Sequence, residues 1–360
     1  MFTRSKPSAP TSRGPTAIRV SQTAPCQQQL QIRVSVEAIQ PVREIVIKEF
    51  QREAVIAGFR KGKAPRQLVE QKFPSEIREE TVKRLTRQVL EQVTTERQLK
   101  PVGPFEVIKL DFDEGKGLEL EAQVEVEPEF KLAEYRGLRV QQPAAAVAPD
   151  EIDKALAQLR ESSAELVPAG EGQPKEKQLP NLDDEFAKDV GFEGLEPLRR
   201  HLEAKLKEHK QVQQCQGAEQ SLCDALLSRH TFEVPPGLVA KQAERLTRDF
   251  QVRLMLSGRN EEQVKDELAK YTEQLRTNAV RLVKLTFILD RIAEQERLTV
   301  TQDELMDRLW KMAKQWNKDP AEVRKMLDQQ GLWQSVFSSI RQDKTVSFLM
   351  DAAKIESVAA

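Results

Sequence analysis

Residues 58–66, Gly-Phe-Arg-Lys-Gly-Lys-Ala-Pro-Arg, hold four cations and one aromatic ring, and the next acidic residue is Glu70. Guanidinium and ammonium groups on an exposed turn contact phosphates or carboxylates, and a phenyl ring among them stacks on a base or fills an apolar pocket. Gly58 and Gly62 permit a tight backbone excursion between two helices. An apolar ring held in water beside cations points to a partner surface. A solvated helix–helix turn has the same composition, so residue types alone leave both readings open.

Little else in the chain offers chemistry. The three histidines are His201, His209 and His230, and the first two lie eight apart, not the four that sets two imidazoles on one metal. His209 with Cys215 is a poor ligand set, and all three histidines read as solvated helix positions. No HExxH, GxSxG, GxxxxGK[ST] or GxGxxG motif occurs. Carboxylates stand beside Lys or Arg at helical spacing, as in Glu203 and Lys207, which gives weak surface support and no acid–base pair. The reading is therefore no catalytic residue, no metal and no cofactor.

Composition narrows the class. The 360 residues carry 56 basic and 57 acidic side chains, a formal charge of −1, so nucleic-acid affinity would have to come from a local patch. No apolar run approaches the roughly 18 residues of a membrane span, and 39% hydrophobic content is too high for a wholly disordered chain. Only 15 glycines argue against phosphate-cradling loops. Cys26, Cys215 and Cys223 form no CxxC pair and read as reduced packing residues. Residues 1–25 lack a hydrophobic signal core and read as a disordered tail; a transit peptide and an over-extended start are the alternatives.

Periodicity places the elements. Leu30, Ile32, Val34 and Val36 alternate as a strand, and a helix is expected from Pro41, at its first position, to Ala57, with Gly58 ending it. Short and long helices follow over 66–72 and 75–98, then strands over 105–112 and 118–126 about a turn at 113–117. This α+β region, helices on a small antiparallel sheet, is bounded at 26–140. Residues 141–150 read as a linker ending in the N-cap Asp150, and residues 151–360 as a helical domain. A helix is expected from Glu151 to Leu166, a loop over 168–181, and helices over 183–190, 195–230, 237–257, 260–297, 301–317, 320–329 and 332–355. Long charged helices with few aromatics suggest an extended domain with projecting arms.

GFRKGKAP, residues 58–65, resembles the ribosome-binding signature of the trigger factor family of bacterial ribosome-associated chaperones. RQLVEQKF (66–73), LDDEFAKDVG (182–191), LTVTQDEL (298–305) and DKTVSFLMDAAKI (343–355) look like further parts of that family, so the resemblance spans about 26–355. It implies docking on the large ribosomal subunit through Phe59, Arg60, Lys61, Gly62 and Lys63. The cations would meet rRNA phosphate and acidic ribosomal-protein groups, Phe59 would be the apolar anchor, and Arg66 a flanking contact. It also implies an ATP-independent, cytoplasmic chaperone for unfolded nascent polypeptides, with links to protein transport and cell division, and no membrane partner. Most members insert an FKBP-type prolyl isomerase domain between flanks that here are Ala164–Pro168 and Leu179–Ala187. Only Ala169–Gln178 separates them, so that domain and its activity are expected to be absent.

Holding unfolded chain requires dispersed apolar surface, for which Met and aromatic side chains suit because they repack. Leu254, Met255, Leu256, Met306, Trp310, Met312, Met326, Trp333, Phe337 and Phe348 are the candidates. Stripes at helical spacing are also what a helical core needs, and both readings stand. A ribosome-independent holdase or assembly chaperone, as a homodimer, and an active prolyl isomerase are the competing functions.

Overall fold

The computed structural model describes residues 16–143, 147–163, 165–167 and 176–358. Strand β1 (Thr16–Ala24) and β2 (Gln27–Val34) form an antiparallel hairpin around Pro25-Cys26, with Cys26 at φ 59°. The tail expected through residue 25 is therefore ordered from Thr16, while residues 1–15 lie outside the described residues. The cause is long-range: β1 pairs along the whole of β2 and buries Ile18, an alternation too weak to stand out in the sequence.

Helix α1 (Val36–Glu53) begins five residues before Pro41, which falls in its second turn instead of at its first position. Burial of Ile39 and Val42 continues the apolar stripe upstream and offsets the one main-chain hydrogen bond that proline cannot donate. Helices α2 (Arg66–Lys72) and α3 (Pro74–Glu96) follow, then β3 (Glu106–Asp113) and β4 (Gly117–Glu125) across the expected turn. Strand order is β1-β2-β4-β3. The register sets Leu30, Ile32 and Val34 of β2 opposite Ala122, Leu120 and Leu118 of β4, so one face is apolar throughout and α1 and α3 cover it.

Strand β5 (Arg139–Pro143) occupies part of the expected linker, and helix α4 (Pro149–Ser162) starts one residue before Asp150. Its cap is Ala148, whose N–H donates to Glu151 at 2.9 Å, so Asp150 is a first-turn residue and not the N-cap. Helix α4 stops four residues short of Leu166. Strands β6 (Glu165–Val167) and β7 (Glu176–Gln178) then pair antiparallel, and the loop expected over 168–181 lies in part, 168–175, outside the described residues. Helices α5 (Asp184–Asp189), α6 (Leu195–Arg229), α7 (Pro236–Leu256), α8 (Glu261–Gln295), α9 (Gln302–Trp316), α10 (Pro320–Gln330) and α11 (Trp333–Asp351) agree with their expected spans within a few residues. The expected capping box is present: Thr301 Oγ1 accepts from Glu304 N and Glu304 from Thr301 N. The last helix ends at Asp351, and strand β8 (Lys354–Val358) pairs parallel with β5.

The compact units differ from the consecutive segments 26–140 and 151–360. One comprises the chain through Lys131 with Thr231–Phe287; the other comprises Leu132–His230 with residues from Ile288. In the first unit, Phe130 and Phe232 stack with ring centroids 4.1 Å apart, and Gly237 N donates to Glu125 at 2.6 Å. In the second, Phe186, Leu198 and Leu156 form one apolar cluster, while Leu309, Ala313, Val323 and Leu327 form another. His230 is buried in this unit, not solvated: its Nε2 accepts from Ala133 N at 2.9 Å, which leaves Nδ1–H to donate to Leu226 O.

Candidate functional site

The basic segment is a loop pinned at both ends. After α1 the chain buries Ile56, and before α2 it buries Ala64; both pack with Val46, Ile47, Val69 and Ile77 in a cluster of their own. Gln51 Nε2 donates to Ala64 O at 2.7 Å, tying the far end of the loop to α1. Between these anchors run two successive turns. Phe59 N donates to Ile56 O at 3.0 Å and Lys63 N to Arg60 O at 2.9 Å. In each the third residue is glycine with positive φ, Gly58 at +88° and Gly62 at +81°, as a type II turn demands. The glycines are thus required by turn geometry. A Cβ at Gly58 would meet no neighbouring atom, so only backbone strain opposes one there.

The turns leave Phe59 43% exposed and hold Arg60, Lys61 and Lys63 in solvent. Among the described residues these three cations have no ion-pair partner. Arg66 differs: its Nη2 lies 2.7 Å from Glu44 and its Nε 3.0 Å from Glu70. The hydrogen bond from Arg66 holds the Glu44 carboxyl below the usual carboxylate range, and the two carboxylates push the guanidinium up. Glu70 also faces Arg43 at 3.7 Å, and Arg43 faces Glu114 at 3.6 Å, so a ladder of charges joins α1, α2 and the β3–β4 turn. Arg66 is therefore a strut beneath the loop and not a free cation beside it. Val55, 79% exposed on the approach to the loop, was not among the candidate residues; an apolar side chain next to a basic loop was the available signal.

The apolar candidates divide. Met255, Leu256, Met306 and Trp310 are exposed, Leu256 by 83% and Trp310 by 59%. Met312, Met326, Trp333, Phe337 and Phe348 are half-buried, Met312 and Trp333 against the Leu309–Leu327 cluster. Leu254 is buried, beside Phe250 and Tyr271, whose rings meet edge to face at 5.4 Å. Its i, i+1, i+2 run with Met255 and Leu256 cannot face one way on a helix, which is why one residue turns inward and two do not. Val252, Tyr271 and Trp316 are further exposed apolar positions outside the candidate set. Among the described residues no cluster of His, Cys, Asp or Glu could hold a metal, and no helix is long and apolar enough to cross a membrane.

Known proteins resemble the chain over most of its length. The family model described as "Bacterial trigger factor protein (TF)" matches residues 16–159, and "Bacterial trigger factor protein (TF) C-terminus" matches 194–351. A trigger factor of Geobacillus sp. (strain WCH70) is 27% identical over 423 aligned positions, covering 91% of this chain and 96% of the relative. Another, of Alkaliphilus oremlandii, is 28% identical and covers 83% and 90%. The first alignment is longer than this chain's 360 residues, so the relative carries residues with no counterpart here. Only eight residues, 168–175, join β6 to β7, too few for an inserted domain. A solved structure described as "Promiscuous Substrate Recognition in Folding and Assembly Activities of the Trigger Factor Chaperone" has a TM-score of 0.52 at 18% identity, covering 92% of this chain and 99% of its own, which is a likeness of fold. By these matches the chain belongs to the trigger factor family, in a form without the inserted isomerase domain.

Proposed function

We propose that the chain docks on the large ribosomal subunit near the polypeptide exit through Phe59–Lys63 and holds unfolded nascent polypeptide there without ATP. The observation that carries the reading is the loop itself. The side chains of Arg60, Lys61 and Lys63 have no ion-pair partner among the described residues, Phe59 is held out in water, and two glycine turns fix their spacing. Three exposed cations have no internal ion pair to break before meeting phosphate or acidic protein groups, where counterion release favours binding, and the ring supplies the apolar contact that charge alone lacks. Holding falls to exposed apolar side chains, of which Leu256 and Trp310 are the most open among the candidates. Such surface binds many sequences weakly and needs no catalytic residue. The place of action is the cytoplasm, where nascent chains emerge. Co-sedimentation with ribosomes, wild type against a Phe59/Arg60/Lys61→Ala variant, tests the docking; a ribosome-independent holdase would not notice the change.

A further inference from the structure

The ribbon of β5 and β8 is a parallel pair of two strands, both in the second unit. Its inner strand is fixed. Val140 of β5 is fully buried against α6, and Gln141 N donates to Ser221 Oγ of α6 at 3.0 Å. Its outer strand, over Lys354–Glu356 where the side chains are exposed, is held by main chain. The ladder opens with Gly137 N donating to Ala352 O at 3.0 Å and Lys354 N to Leu138 O at 2.8 Å, then runs in register from Arg139↔Lys354 to Pro143↔Val358. Lys354, Ile355 and Glu356 are exposed, Ile355 by 50% even though it stands opposite buried Val140. Among the described residues the one side-chain tie across the pair is Arg139 to Glu356 at 3.6 Å, between two exposed groups. Such an ion pair is worth about 0–1 kcal/mol.

Parallel pairing is slightly weaker per residue than antiparallel, and a ribbon of two strands is marginal by itself. A main-chain ladder also reads little sequence: any extended segment with its N–H groups intact can make it, with a modest apolar side chain opposite Val140. β5 is thus a rigid, α6-backed edge whose occupant is weakly retained, and the occupant shows which chemistry the edge accepts. We propose that the β5 edge is a strand-receiving site for extended segments of unfolded polypeptide, with β8 as its resident occupant, displaced when such a segment pairs in its place. This rests on the chaperone reading above.

Cysteines placed at the facing positions Gln141 and Glu356, with Cys215 and Cys223 changed to Ser, lock the ladder when oxidised. Two probes are followed by fluorescence anisotropy: a labelled peptide of residues 352–360, and a reduced, alkylated and therefore permanently unfolded protein. The full chain should bind the peptide at least about tenfold more weakly than a chain ending at Ala353, because β8 competes at high effective concentration. The oxidised lock should abolish peptide binding and weaken the unfolded protein at least about threefold, with reduction restoring both. Equal binding of both probes by locked and reduced protein overturns the proposal, and that arm decides even if the shortened chain fails to fold. If the wild type binds no unfolded protein, the proposal fails together with the chaperone reading; if it binds unfolded protein equally well locked and reduced, the strand site alone fails, whatever the peptide does.

Discussion

Arg66 Nη2 lies 2.7 Å from Glu44 Oε1, so this cation is spent on α1 while Arg60, Lys61 and Lys63, a few residues earlier, face water. The two kinds of arginine should respond differently. Arg60→Ala should weaken ribosome binding directly and reduce its salt dependence by about one phosphate contact. Arg66→Ala and Glu44→Gln should resemble each other, weakening binding less and leaving the salt slope unchanged, because they loosen the seat of the loop. Glu44 has its carboxyl held down by Arg66, so this support is present above the ordinary carboxylate range and is lost as pH falls through the lowered value. Ribosome titrations across salt and pH check both points; a reduced salt slope for Arg66→Ala would make it a contact after all.

The apolar run Leu254-Met255-Leu256, one residue buried and two exposed, lets the proposed holding role be tested apart from folding. Leu256→Ser, like Trp310→Ser, removes exposed surface and should lower suppression of client aggregation while leaving thermal unfolding within about 0.5 kcal/mol. Leu254→Ala empties a buried position and should cost about 2–3 kcal/mol of stability. Aggregation assays and melting curves on the three variants together check the division; a Leu256→Ser protein that melts early contradicts it.

Which apolar candidates are surface and which are core was not legible in the sequence, whereas much of the helical fold was, and the gaps have a common physical cause. Helices α6 to α10 follow from 3.6-residue periodicity, caps and proline breaks, all local signals. The basic loop stood out by residue type and spacing, which left its role open between a partner surface and a solvated turn. What was missed depends on distant partners. β1 exists through its pairing with β2, and β8 through its pairing with β5; neither has a strong pattern of its own. The start of α1 was misplaced because Pro41 is a good first-turn residue locally, whereas burial of Ile39 extends the helix past it. Arg66 reads in sequence as a flanking contact, and its ion pair with Glu44, 22 residues upstream, has no local signal.

Asp290 and Arg341 form an ion pair at 2.7 Å between α8 and α11, with each side chain about a quarter exposed. Burial pushes the Asp290 carboxyl up despite the arginine. A raised carboxyl favours the folded state most below its unfolded value, and that advantage is lost as pH rises through the folded one. Arg341→Met should therefore destabilise by about 1–2 kcal/mol near neutral pH, less than for a fully buried pair. The loss should shrink as Asp290 becomes protonated on acidification. Melting curves of wild type and variant at neutral and mildly acidic pH check this; a loss independent of pH contradicts it.

With eight residues between β6 and β7, no domain lies at the place where most of the family carries its isomerase. Refolding of a proline-limited substrate should proceed at its uncatalysed rate, tens to hundreds of seconds at 25 °C, with the protein present in catalytic amounts. Rate enhancement proportional to added protein would locate an isomerase elsewhere in the chain.

Ribosome co-sedimentation of wild type and the Phe59/Arg60/Lys61→Ala variant, at near-physiological salt, bears most directly on the docking role. All three residues are exposed and outside the anchoring cluster, so the variant should melt with the wild type. Wild type should pellet with ribosomes and the variant should stay in the supernatant. Equal pelleting of a correctly folded variant would contradict docking through this loop.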